Sequence, residues 1–221
     1  MARKNKALPD PLKTWIDFVN LRIEVFCKAL EYLVITDNMK RNEGRISAAL
    51  YPKLIFVCYE LKVDSGIPEW DKKRGAATDK ELNLESINKR PDFTCTLFDN
   101  LAETIDKYKV DLHIECKCIG FNRNPKSRWN LNQNYINDGI NRFDALSHEY
   151  GKGARDGIMI GYIISSTKPD IQKQINDNLP TKIEKLNFVT KNKVEKVSTR
   201  FVREVVEPTN FTMHHIWADY A

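Results

Sequence analysis

No stretch of the 221-residue chain is apolar for long enough to cross a bilayer. The richest stretch, 46–61, is broken by Pro52, Lys53 and Glu60, whereas a membrane helix needs about 20 mostly apolar residues. A membrane partner is therefore not expected. Residues 1–9, MARKNKALP, lack the apolar segment of a secretory leader. Cysteine is sparse, with five scattered residues and so an odd number. The expectation is a cytoplasmic protein with reduced, free thiols. Also missing are a glycine-rich phosphate loop ending in lysine, a nucleophile-elbow serine and a dinucleotide fingerprint. These absences leave no ATP-driven motor in the chain, so any coupling to ATP or to sensing would come from a partner subunit. There is no internal repeat and no low-complexity tract. What remains is ordinary for a globular domain able to bury a core: 42% hydrophobic and 29% charged residues. A net charge of +5 permits a polyanionic partner without requiring one.

The informative feature is a pair of short motifs. Pro91-Asp92-Phe93 opens one apolar run, 93–98 (FTCTLF), and Glu115-Cys116-Lys117 lies inside a second, 110–119. The two acids are 23 positions apart, with a polar, turn-like stretch between the runs. Both runs read as strands. Successive side chains of a strand point to opposite faces. His113, Glu115 and Lys117 therefore share one face, and Leu112, Ile114, Cys116 and Cys118 the other. A carboxylate and an ammonium side by side, with a second carboxylate nearby, can bind a divalent cation and activate a water for phosphodiester cleavage.

On these residues, in this order and strand context, the chain resembles the PD-(D/E)XK nuclease superfamily, and type II restriction endonucleases in particular. The resemblance implies an α/β fold, a restriction-endonuclease-like core with a mixed central sheet flanked by helices and extra strands at the C-terminus. It implies catalysis by Asp92, Glu115 and Lys117. It also implies Mg2+ (Mn2+ substituting) held by Asp92, Glu115 and the backbone carbonyl of Cys116. Lys117 would orient the attacking water and offset charge on the phosphate. The first core helix of many such enzymes opens with an asparagine-glutamate pair, matched here by Asn42-Glu43. Glu43 is thus either a third acid at the metal or a first-turn acid that favours the helix dipole. The Gln-x3-Tyr signature of one branch of the superfamily is absent.

Helical spacing of Trp15, Phe18, Val19, Ile23, Phe26, Leu30 and Leu33 predicts a helix over 11–35, capped by Asp10, which packs on the domain or contacts a second subunit. A helix over 43–62 carries the stripe Ile46, Leu50, Leu54 and Val57, with Pro52 expected to kink or restart it. The segment 63–90 reads as a solvated loop with Trp70 beside the basic residues Lys72, Lys73 and Arg74, and a short helix at 79–87. A second polar loop, 121–134, carries Arg123, Lys126 and Arg128. A helix over 131–150 follows, with Tyr135, Gly139 and Arg142 on one face. These basic groups, with Tyr135 and Arg142, are the expected contacts to a nucleic-acid backbone. A buried strand over 157–165, a helix over 170–178 and strands over 186–190, 197–206 and 211–217, antiparallel or at an edge, complete the order. One domain results: a helical appendage over 1–37, a core over 38–165 and a C-terminal part over 166–221.

Zinc is the chemical rival, since Cys95, His113, Cys116 and Cys118 are of zinc-ligand type. Alternation sends His113 away from the two later cysteines and disfavours it. His214 and His215 alternate across a strand, one buried and one exposed. The expected activity is metal-dependent DNA endonuclease, in restriction or anti-phage defence, as a homodimer or with a partner subunit. The alternative is a catalytically silent nucleic-acid-binding or assembly module on the same fold.

Overall fold

The computed structural model describes residues 11–40, 42–73, 88–98, 108–121, 130–189 and 192–221. Among them, six strands form one mixed sheet in the order β1-β2-β3-β4-β6-β5. The strands are β1 (Glu69–Trp70), β2 (Phe93–Phe98), β3 (Lys109–Ile119), β4 (Asp156–Ile163), β5 (Val194–Val202) and β6 (Asn210–Asp219). β3, β4 and β6 are mutually parallel, while β1–β2, β2–β3 and β5–β6 pair antiparallel. The strand read at 211–217 is therefore an interior strand, parallel to β4 and antiparallel to β5, and of the last two strands β5 is the edge.

Two helices, α1 (Pro11–Tyr32) and α2 (Glu43–Glu60), cover one face of the sheet. All seven apolar residues read on the helix over 11–35 are buried, although α1 ends at Tyr32 and Leu33 lies just beyond it. They pack in one core with Cys95, Ile114, Cys116 and Cys118 of the hairpin and Ile160 of β4. Pro52 has no N–H for the Ala48 carbonyl, a defect that costs about 3 kcal/mol inside a helix. The helix nevertheless runs through it, because Ile46, Leu50, Leu54 and Val57 are all fully buried and hold both halves to the same core.

The other face is covered by α3 (Leu131–Asn137), a 3-10 helix (Ile140–Asp144) and α4 (Lys168–Asn178), around Tyr135, Ile136, Ile140, Phe143, Met159 and Trp217. Here the single helix expected over 131–150 breaks in two. Asn134, Asn137, Asp138 and Gly139 are weak helix formers, and Gly139 sits where a Cβ would lie 2.4 Å from the Tyr135 carbonyl oxygen. The strand expected over 186–190 is not formed in its described part. Leu186 and Phe188 take their backbone hydrogen bonds from Asn176 and Gln172 side chains of α4 instead of from a strand. β5 ends at Val202, after which Asp144 accepts the N–H groups of Glu204, Val205 and Val206 and turns the chain. Among the described residues no helix is long and apolar enough to cross a membrane.

Candidate active site

The site forms at the N-terminal end of β2, where β3 runs on past its partner. On one side β3 pairs with β4 from Ile114 to Ile119; on the other it pairs with β2 only as far as Ile114↔Phe93. Beyond that point the β3 amides on the β2 side have no strand partner. Two carboxylates take them. Asp92 Oδ2 accepts the N–H of Cys116 at 2.7 Å, and Glu43 Oε2 accepts the N–H of Cys118 at 3.0 Å. A buried amide left bare would cost about 1–3 kcal/mol, so the acids also close the sheet edge. Asp92 is held from behind, since its carbonyl accepts the Asp71 N–H at the end of β1. Glu43 is placed by the first turn of α2, whose N-cap Asn42 accepts the Arg45 N–H. Glu43 is the acid of the first turn of α2, and it also reaches the motif: its other oxygen accepts Lys117 Nζ at 3.0 Å.

Strand alternation on β3 is as read. Cys116 and Cys118 face the helical core under α1 and α2, and Glu115 and Lys117 are buried on the other side. Lys117 Nζ donates to Glu43 Oε1, to Glu115 Oε1 at 2.7 Å and to the Cys116 carbonyl at 2.9 Å. An ammonium has three N–H groups, and all are used. Burial alone lowers a lysine pKa, but the carboxylates of Glu115, Glu43 and Asp92 outweigh it and hold Lys117 above its usual range. On Glu115 and Asp92 burial itself acts upward. Burial pushes Glu115 up to about 8, with the Asp92 charge adding to the rise against Lys117 and Arg142. Burial likewise pushes Asp92 up to about 6, opposed by Lys117 and by the Cys116 amide. Oε2 of Glu115 is buried and has no hydrogen-bond partner among the described residues.

Arg142, on the 3-10 helix, donates to Glu115 Oε1, the oxygen that Lys117 also holds. The residue expected to grip a phosphate is thus paired with the motif acid. Tyr150 closes the same wall, 5.4 Å from the His113 ring; burial first, then the charge of Glu115, push its hydroxyl up. It was not singled out as a site residue from the sequence, although the Tyr150-Gly151 pair follows the arginine-bearing segment. His113 accepts the Gly151 N–H at Nδ1, 2.8 Å away.

The remaining expectations divide. Tyr135 is fully buried, with its hydroxyl against His215 Nδ1 at 2.8 Å and Trp217 Nε1 at 3.1 Å. Its place is in the core, out of reach of a nucleic acid. Trp70 lies in strand β1, not a loop, and its ring meets Tyr51 at 6.0 Å. Lys72 pairs with Glu69, and Lys73 is exposed. Arg74, Arg123, Lys126 and Arg128, the cap Asp10, Thr190 and the helix at 79–87 lie outside the described residues. His215 is buried as expected of one of the pair; His214 is largely covered too, between Ser198 Oγ at 2.8 Å and Asp156 Oδ1 at 2.9 Å.

The oxygen groups gathered at the notch are the carboxylates of Asp92, Glu115 and Glu43 and the Cys116 carbonyl, the donor type that a hard divalent ion takes. Among the described residues, Glu115 Oε2 is the buried oxygen of that set without a partner. Among the described residues no three His, Cys, Asp or Glu side chains converge closely enough to hold an ion as they stand; Lys117 lies between the carboxylates of Glu43 and Glu115. The cysteine thiols are pushed up by burial, Cys95 and Cys118 to about 12, which disfavours the thiolates that zinc takes. No protein-family model, curated protein or solved structure matches the chain.

Proposed function

We propose that the chain is a Mg2+-dependent endonuclease that hydrolyses DNA phosphodiester bonds on a restriction-endonuclease-like core, with Mn2+ able to substitute. The observation that carries this reading is the meeting of Glu43, Asp92, Glu115 and Lys117 in one notch, although they come from a helix, a strand and the residue just before β2. The order of elements from α2 through the β2–β3 hairpin and α3 to β4 supports it as well. In this reading Asp92, Glu115, Glu43 and the Cys116 carbonyl hold the cation, which when bound stabilises charge on the phosphate and lowers the pKa of water. Lys117, kept charged by its carboxylates, orients the attacking water and offsets the negative charge that develops in the transition state. It does not act as a general base in the metal-free site, because it has no tendency to give up its proton there. Glu115 and Asp92 gain from the cation what burial takes from them.

The setting we propose is restriction or anti-phage defence in the cytoplasm. Cutting both strands needs two sites, hence a homodimer or a partner subunit. The alternative, a catalytically silent nucleic-acid-binding module, draws on one observation: Lys117 and Arg142 already neutralise Glu115. Cleavage separates the two. Asp92→Asn and Lys117→Ala are each expected to lower Mg2+-dependent DNA cleavage by about 10²–10³-fold while circular dichroism and melting show a folded chain. Full activity in either folded variant contradicts the assignment.

A further inference from the structure

Two cations share one oxygen of Glu115, and they are not equally committed to it. Lys117 spends its three N–H groups on three acceptors, and its side chain is only 8% exposed. The hydrogen-bond partner of the Arg142 guanidinium is Glu115, and that side chain keeps 29% exposure. It stands at the rim of the notch on a short 3-10 helix, facing the buried acid from the solvent side. Once Glu115 is ionised, three carboxylates against two cations leave the cluster one negative charge. Entry of a dication reverses that sign, and an anionic phosphate beside the rim would restore the balance.

We propose that Arg142 is a displaceable counter-ion: it neutralises Glu115 in the metal-free protein, and a divalent cation that takes Glu115 releases its guanidinium to an anionic substrate. This rests on the reading of the notch as a metal-dependent phosphodiesterase. Arg142 is the group that leaves because it gives up one acceptor and gains solvent, whereas Lys117 would have to abandon three. Two cations competing for one carboxylate weaken each other by the same factor. Removing the guanidinium should therefore tighten metal binding, opposite to the effect expected of a residue that helps to hold the ion.

The test titrates Mn2+ by calorimetry into the full chain, stripped of metal and without DNA, as wild type, Arg142→Gln and Arg142→Lys. Arg142→Gln is expected to bind about tenfold more tightly, and Arg142→Lys to remain near wild type. In the unaltered protein, the Nε–H signal of Arg142 in nuclear magnetic resonance, assigned by its loss in Arg142→Lys, is expected to shift on titration with Mg2+. Wild-type binding with unchanged or weaker affinity in Arg142→Gln overturns the proposal and leaves the reading of the notch standing. So does a stationary Arg142 signal at saturating Mg2+. No Mn2+ binding by any of the three overturns both.

Discussion

Burial governs Glu115 and Asp92 in the metal-free protein, and the consequence is readable in stability against pH. The folded Glu115 carboxyl is raised from the usual 4.5 to about 8. Between those values the folded state holds a proton that the unfolded chain has lost, so stability falls as pH rises through the window. His215 works the other way: burial lowers it to about 3, so its contribution rises with pH and is complete once the unfolded imidazole is neutral, near 6.5. The clean interval is therefore pH 6.5 to 8. There the metal-free protein is expected to lose on the order of 1–2 kcal/mol, and Glu115→Gln to show a flatter slope. Denaturant titrations in EDTA across that interval check this; equal slopes would remove Glu115 as the cause. At this scale much of the site was legible. Period-two alternation alone placed Glu115 with Lys117 and sent Cys116 and Cys118 into the helical core. Glu43 stayed open because its contact depends on where β2 ends, which no local pattern encodes. The same holds for the pairing of Arg142, whose partner lies 27 positions away.

At the scale of elements, the break between α3 and the 3-10 helix decides where Arg142 stands. Ile136, Ile140 and Phe143 keep a helical rhythm across it because all three face one core, and that rhythm hid the break. Tyr135 was grouped with Arg142 for the same reason, and once the helix breaks the two part company. Gly139 fills the junction with no room to spare: a Cβ there would lie 2.4 Å from Met159 Cε and 2.4 Å from the Tyr135 carbonyl oxygen. Methionine can move, but the backbone oxygen cannot do so without shifting α3. Gly139→Ala is expected to destabilise by about 1–3 kcal/mol, measured by chemical denaturation; a neutral substitution would show the junction to be looser than this packing implies. Similar reasoning explains the missing strand before β5. Leu186 and Phe188 alternate as a strand would, yet α4 side chains satisfy their backbone, a substitution invisible to periodicity.

At the scale of the molecule, the sheet is a wall with helices on both faces, and the candidate site is a notch at the N-terminal end of β2, where β3 runs on past its partner. The helix layers fix the acids from opposite sides: α2 brings Glu43, and the 3-10 helix brings Arg142. α1, set apart in the sequence as an appendage, packs on β2, β5 and β6 and shares the core that backs the hairpin. The order of the central elements was legible because each carries its own apolar period. The parallel placement of β6 beside β4 was not, since it depends on a crossover and not on local pattern. The claim that this notch cleaves nucleic acid is tested most directly by incubating the purified chain with supercoiled plasmid, linear duplex and single-stranded DNA, in Mg2+ or in EDTA. The account predicts cut products in Mg2+ and none in EDTA. Intact DNA in all Mg2+ and Mn2+ reactions, from a folded protein and over a range of protein concentrations, would contradict it.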